Sequence, residues 1–228
     1  LIFVALVDKI LVFRTDRIGD FLVSAPIFSS LKRKFKNCKI DIVCSNLNYD
    51  YVKSFNFFNN VFLYPDNILN KISFYLSLNN YDHILVLDGK KRSIYTSIFK
   101  RSVNKTLFTP SSTIKSLFKY FFNNVYFIDY NIPKIDLIQS FLSNVNCDFS
   151  SIDLNFLLNF ENKEFLNFKK LDFGYVILNF DEKWIFKNYI KTYKNIEPTF
   201  KELVNFLSIL SKNTKVVIVN SYIENPLL

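Results

Sequence analysis

Short apolar runs alternate along the chain with segments whose apolar residues recur every three to four positions. The runs Lys9–Arg14, Lys39–Cys44, Val61–Tyr64, His83–Leu87, Thr106–Phe108 and Val125–Ile128 read as strands. Between them, Phe21–Phe35, Ile68–Leu78, Arg92–Lys100, Ile114–Phe122 and Ile135–Val145 read as helices. The first helix is the clearest, with Phe21, Ala25, Phe28, Leu31 and Phe35 on one face. Pro26 lies inside it, so the pattern predicts a kink there or a regular helix that starts only at the proline. Strand–helix alternation at this spacing predicts an α/β fold with a mostly parallel sheet covered on both faces.

The pattern weakens over residues 149–172, which read as a connector with one short helix, and then resumes. Tyr175–Phe180 is a fresh strand, Thr199–Ser211 a helix and Lys215–Asn220 another strand. The expected organisation is a Rossmann-like domain over residues 1–150, a connector over 151–174 and the start of a second Rossmann-like domain over 175–228. The chain has no methionine and begins at Leu1, so a fragment open at both ends is expected.

Charge adds a bias to this picture. Residues 1–150 carry 19 Lys and Arg against 11 Asp and no Glu, a net +8, whereas residues 151–228 stand at +1. Nucleic acid, an anionic membrane surface and an acidic substrate are the partners such a balance suits. The many aromatic residues fall at core spacing, and no RNP-like or helix-turn-helix pattern is present, which argues against nucleic acid. Cys38, Cys44 and Cys147 form no CxxC pair, so a disulfide framework or zinc site is not expected and a reducing compartment fits better. No apolar run approaches the ~20 residues of a membrane-spanning helix. The single His83 sits in an apolar strand and is assigned no role.

The candidate chemistry lies in the turn RTDRIGD after the first strand. A dinucleotide cradle would carry three glycines there; this turn carries one, with two aspartates and two arginines. Only three glycines occur in the chain, so backbone geometry is the expected reason for Gly19, as for Gly89 and Gly174. Ligands of open α/β sheets sit beyond the carboxyl ends of the strands, where this turn falls. Asp20 at the helix start reads either as a helix N-cap, worth ~1 kcal/mol, or as an ionised base in a cleft. Arg14, Asp16 and Arg17 read either as a charge cluster that braces the loop or as contacts to acidic groups of a ligand. Lys90, Lys91 and Arg92 follow another strand's carboxyl end. They are the best placed of the basic runs, which otherwise read as solvated helix ends.

The stretch ILVFRTDRIGDFLVSAPIFSSLKRKFKNCKIDIV resembles the opening of glycosyltransferase family 9, the heptosyltransferases of lipopolysaccharide core assembly in bacteria. The shared pattern is an apolar strand, R-x-D-x-(I/M)-G-D, a helix with an internal proline, a basic helix end and a second strand. YDHILVLDGKKRS is similar to that family's fourth strand and following loop, and YVILNFDEKW to the first strand and Lys-Trp motif of its second domain. Family members often follow that Lys-Trp directly with a proline, whereas IFKNYIKTYKNI intervenes here before Pro198.

The resemblance implies a GT-B fold, with the acceptor on the first Rossmann-like domain and the nucleotide-sugar, ADP-heptose, on the second. It implies inverting, metal-independent transfer with no cofactor, Asp20 as the base that deprotonates the acceptor hydroxyl, and Lys183 as the cation at the donor phosphate. Arg14, Asp16, Arg17, Gly19, Lys90, Lys91 and Arg92 are then expected to meet an anionic glycolipid acceptor. The expected location is cytoplasmic, in peripheral contact with the anionic inner face of the cytoplasmic membrane. The fragment alone is expected to be inactive, because half of the donor site would lie beyond Leu228. The rival readings are a non-catalytic basic α/β binding domain, for nucleic acid or an anionic surface, and a family member that uses another sugar donor.

Overall fold

Along the strand β1 (Lys9–Phe13), Ile10 and Val12 turn to one face of a sheet and Leu11 and Phe13 to the other, and all four are fully buried. A strand buried on both faces belongs in the middle of a parallel sheet covered by helices. The computed structural model, which describes residues 7–110, 118, 120–147, 174–179 and 199–219, places it there. The elements that follow are α1 (Ile18–Val23), α2 (Ala25–Lys34), β2 (Lys39–Cys44), α3 (Tyr49–Lys53), β3 (Asn60–Leu63), α4 (Ile68–Ser77), β4 (Tyr81–Val86), α5 (Lys91–Phe99), β5 (Ser102–Thr109), β6 (Asn124–Phe127) and α6 (Lys134–Asn144). The six strands form one sheet in the order β3-β2-β1-β4-β5-β6, with every pairing parallel. Ile10 of β1 lies opposite Ile40 of β2 on one side and His83 of β4 on the other.

The two faces carry separate cores. Phe21 of α1, Phe28 and Leu31 of α2, Val52 of α3 and Phe141 of α6 pack on the side of Ile10 and Val12. Phe74 of α4 and Ile94 and Ile98 of α5 pack with Leu11 and Phe13. The abundant phenylalanine is used here: the Phe21 ring has Phe28, Phe55, Phe58 and Tyr51 at centroid distances of 5.7, 5.9, 6.0 and 6.2 Å. Such aromatic pairs add to the stability that their buried area already provides.

The helix expected over Phe21–Phe35 is two helices joined at Ser24. Pro26 is the second residue of α2, where its missing N–H costs nothing, and the chain turns just before it. Helix α3 was not expected from periodicity, since its five residues are too few to show a period. Strand β5 is longer than the expected Thr106–Phe108, because its polar first half, Ser102–Lys105, pairs with β4 at the edge of the buried sheet. The expected helix Ile114–Phe122 falls mostly outside the described residues.

The chain divides into two units, Leu1–Lys163 and Glu164–Leu228. In the second, β7 (Tyr175–Asn179) and β8 (Lys215–Val219) pair in parallel, with α7 (Phe200–Asn213) between them in sequence. Thr199 caps α7: its hydroxyl accepts from the Glu202 N–H, and the Glu202 carboxylate accepts from the Thr199 N–H at 2.7 Å. Residues 151–173 of the connector and the Lys183–Trp184 pair lie outside the described residues.

Candidate functional site

In this strand order the chain runs outward from β1 to β2 and returns to the other side of β1 with β4. The loops that leave β1 and β4 at their carboxyl ends therefore diverge and open a crevice. The first loop is Arg14–Arg17 and the second Leu87–Lys90.

Thr15 and Asp88 fasten the two loops together. Asp88 Oδ2 accepts from the Thr15 N–H at 3.1 Å and from the Thr15 hydroxyl at 2.5 Å, and from the Ser93 hydroxyl at 2.7 Å. The Thr15 carbonyl accepts in turn from Lys90 Nζ at 2.7 Å and Arg92 Nη2 at 2.8 Å. Behind them, Asn48 Nδ2 donates to the Arg14 carbonyl at 2.8 Å, so the loop after β2 joins the same network. Gly89 makes this packing possible. Its φ is +59°, and a Cβ there would stand 2.8 Å from the Phe108 carbonyl oxygen.

Arg14 is the buried centre of the site, 6% exposed. Its Nη1 donates to the Leu87 carbonyl at 2.6 Å, and its Nε donates to the Asp20 carbonyl at 3.0 Å. The same guanidinium faces two carboxylates, with Nη1 3.3 Å from Asp16 and Nη2 3.9 Å from Asp20. A planar, permanently charged fork suits this bridging in a way a lysine could not.

The two carboxylates titrate apart. Burial pushes the Asp16 carboxyl up to about 6, against the pull of Arg14 and with help from the charges of Asp20 and Asp88. Its Oδ1 is buried and accepts no hydrogen bond among the described residues. Burial acts on Asp20 too, but the hydrogen bond from Lys134 and the charge of Arg14 outweigh it and hold the carboxyl below its ordinary value. Lys134 Nζ stands 2.7 Å from Asp20 Oδ1.

These side chains line a cavity of about 310 Å³. Arg14, Asp16, Asp20, Asp88 and Lys134 are its charged residues, and Val23, Ile27, Phe108, Ile128 and Leu137 are among its apolar walls. A charged floor with apolar sides can hold a ligand that carries both polar and apolar groups.

Of the residues singled out from sequence, Arg14, Asp16 and Asp20 come together in this cavity. Lys90 and Arg92 donate to Thr15 and stand outside the cavity lining, and Lys91 is the exposed first residue of α5. Arg17 is exposed at the N-cap position of α1. Asp20 is the third residue of that helix, so it is not the N-cap that one sequence reading allowed; the helix starts earlier than the apolar spacing implied. The expectation that Gly19 supplies a special bend is also corrected. Gly19 is the second residue of α1, has no positive φ, and a Cβ there would meet nothing within 4 Å. The space in front of Gly19 is open, so an absent side chain, rather than a strained backbone, is what the glycine provides. Lys183 lies outside the described residues. His83 is buried, accepts or donates at Thr106 Oγ1 at 3.0 Å, and is pushed down to about 3 by burial, so it is a neutral core residue.

Sequence reasoning missed Lys134 and Asp88. Lys134 had a signal: it opens α6 directly after Pro133, and a cation at a helix N-terminus opposes the helix dipole. A lysine placed there implies an anionic partner, which is Asp20. Asp88 stood in the LDGKK stretch beside Gly89, but its hydrogen bonds cross the sheet to Thr15 and have no trace in local spacing.

No protein-family model matches the sequence, and no curated protein matches it. Solved structures do. The glycosyl transferase family 9 protein from Veillonella parvula aligns with a TM-score of 0.53 at 15% identity, over 64% of this chain and 44% of that one. The E. coli heptosyltransferase WaaC with ADP-2-deoxy-2-fluoro heptose aligns with a TM-score of 0.63 at 14% identity, over 93% of this chain and 69% of that one. WaaC with ADP gives 0.60, 13%, 92% and 67%. The chain thus has an α/β fold of the GT-B glycosyltransferase class. Within that class its fold is that of the family 9 heptosyltransferases, of which it spans between 44% and 69% of the length.

Proposed function

We propose that this chain is part of an inverting glycosyltransferase that moves a sugar, heptose from ADP-heptose, onto a hydroxyl of a lipopolysaccharide-core acceptor seated in the Arg14–Lys134 cavity. The observation that carries the reading is Asp20: a carboxylate held ionised by Lys134 and Arg14, at the switch point of a heptosyltransferase-like fold. The acceptor hydroxyl oxygen attacks the anomeric carbon, the bond from that carbon to the nucleoside diphosphate breaks with inversion, and the hydroxyl proton passes to Asp20. A carboxylate kept this acidic is a weak base, so its contribution rests on alignment and on transfer late in the attack, when the hydroxyl has become acidic. Arg14 fixes the backbone of the first turn of α1 and thereby the approach of Asp20. Asp16 and the open space before Gly19 receive the acceptor's other hydroxyls. Arg17, Lys90, Lys91 and Arg92 supply a positive field at the mouth, which suits an anionic glycolipid. Lys183 neutralises the donor diphosphate, and neither a metal nor a cofactor takes part. A different nucleotide-sugar would run through the same steps.

The test uses the full-length protein from which the chain comes. With ADP-heptose and a lipopolysaccharide-core acceptor, ADP release should depend on both substrates, and the product should carry the inverted linkage by NMR. Absence of acceptor-dependent ADP release with any nucleotide-sugar tried would overturn the reading.

A further inference from the structure

Helices α4 and α5 lie side by side on one face of the sheet. Phe74 and Ile94 pack into the same core, the Tyr75 hydroxyl donates to the Phe99 carbonyl, and Lys100 Nζ lies over the Tyr75 ring at 4.8 Å. The outward side of α4 is apolar. Leu69, Ile72 and Leu76 recur at three- and four-residue spacing and are 76%, 58% and 72% exposed. Phe99, at the end of α5 beside Tyr75, is 73% exposed. A helix that faces water alone carries charged residues on that side, and an exposed apolar patch rimmed by polar groups marks an interaction surface. Basic residues outnumber acidic ones around it: α4 and α5 contain no acidic residue, Lys71 lies within α4, and Lys100 at Tyr75 and Arg101 follow α5, against the single exposed Asp66 before α4.

We propose that the α4–α5 face is a docking surface for an anionic lipid bilayer, with Leu69, Ile72, Leu76 and Phe99 entering the interface and Lys71, Lys100 and Arg101 meeting the head groups. Charge complementarity selects this occupant. A second copy of the chain, docked by the same face about a two-fold axis, would bring the cationic rims together. An apolar stripe flanked by Lys and Arg is the composition of helices that lie in the membrane interface. The proposal stands apart from the transfer reading, since its readout needs no sugar.

The experiment is co-sedimentation of the 228-residue chain with phosphatidylglycerol/phosphatidylethanolamine vesicles and with phosphatidylcholine vesicles. Binding to the anionic vesicles is expected, and it should weaken with salt. Lys71→Gln and Arg101→Gln should each weaken it about fivefold. Combined Leu69→Ser, Ile72→Ser and Leu76→Ser should weaken it about a hundredfold. These side chains are exposed, so each variant should keep the parent's melting temperature. Ile72→Trp in a Trp184→Phe background should show blue-shifted emission that brominated lipid quenches. Vesicle binding that the triple substitution leaves intact, an indole at position 72 that brominated lipid does not reach, or no binding to anionic vesicles would each overturn the proposal. A concentration-dependent dimer that the triple substitution dissolves, with no vesicle binding, would overturn it in favour of a second copy of the chain.

Discussion

The ammonium of Lys134 stands 2.7 Å from the carboxylate of Asp20, although 114 residues separate the two in sequence. Arg14 approaches the same carboxylate from the other side at 3.9 Å. Asp20 is therefore a strongly ionised group whose direction is fixed by two cations, one from the loop after β1 and one from the first turn of α6.

If Asp20 accepts the acceptor's proton, Asp20→Asn in the full-length protein should lower kcat by about 10²–10⁴-fold, the usual share of general-base catalysis. Donor affinity, measured separately by calorimetry with ADP, should stay near that of the parent. Asp16→Asn should lower kcat less. Turnover of Asp20→Asn at the parent rate would remove the base assignment.

Lys134→Met tests the pairing itself. Asp20 has a folded-state pKa below its unfolded one, so its pairing stabilises the fold above the unfolded carboxylate pKa, and that stability is lost as pH falls through the lower, folded value. Removing Lys134 should raise the Asp20 pKa and move the acidic limb of the kcat/KM profile upward. The half-exposed lysine should change the folding free energy by less than ~1 kcal/mol. An acidic limb that stays in place would show that Lys134 does not set the base.

Asp16 has the opposite sign. Its folded-state pKa is pushed up to about 6 from 3.8, so the folded chain binds this proton more tightly than the unfolded one. Its contribution to stability is fully present below the unfolded value and is lost as pH rises through about 6. Asp16→Asn should flatten the fall in stability between pH 4 and 6, and at pH 7 it should be more stable than the parent by ~1–2 kcal/mol. Denaturant melts at a series of pH values read this directly. A variant that falls with pH as steeply as the parent would place the titration elsewhere.

The two glycines of the site should behave differently. Gly89→Ala forces a Cβ to within 2.8 Å of the Phe108 carbonyl at a φ of +59°, and should cost ~1–3 kcal/mol in thermal or urea melts. Gly19→Ala meets nothing within 4 Å and sits in a helix, so it should be neutral or stabilising by up to ~1 kcal/mol. If the acceptor occupies the space before Gly19, the same variant should raise the acceptor KM at unchanged stability. An unchanged KM would place the acceptor elsewhere.

The sequence by itself determined the layers. Apolar runs with polar, helix-spaced segments between them have one stable arrangement, a parallel sheet with helices on both faces, and the positions of β1, β2 and α2 follow from local spacing and from Pro26. It also determined that the charged turn Arg14–Asp20 lies at a strand's carboxyl end, because chain direction and strand–helix order fix that. Only the tertiary structure decided how that turn is used. The order β3-β2-β1-β4-β5-β6 brings Asp88 to Thr15 and Lys134 to Asp20 across gaps of 73 and 114 residues, and no local period encodes such pairings. It decided which of two nearby aspartates titrates above its ordinary value and which below, since burial and the reach of Lys134 are properties of the packed site. It decided that Lys90 and Arg92 hold the loop through Thr15, because a basic side chain bonds whatever acceptor the fold places within its length.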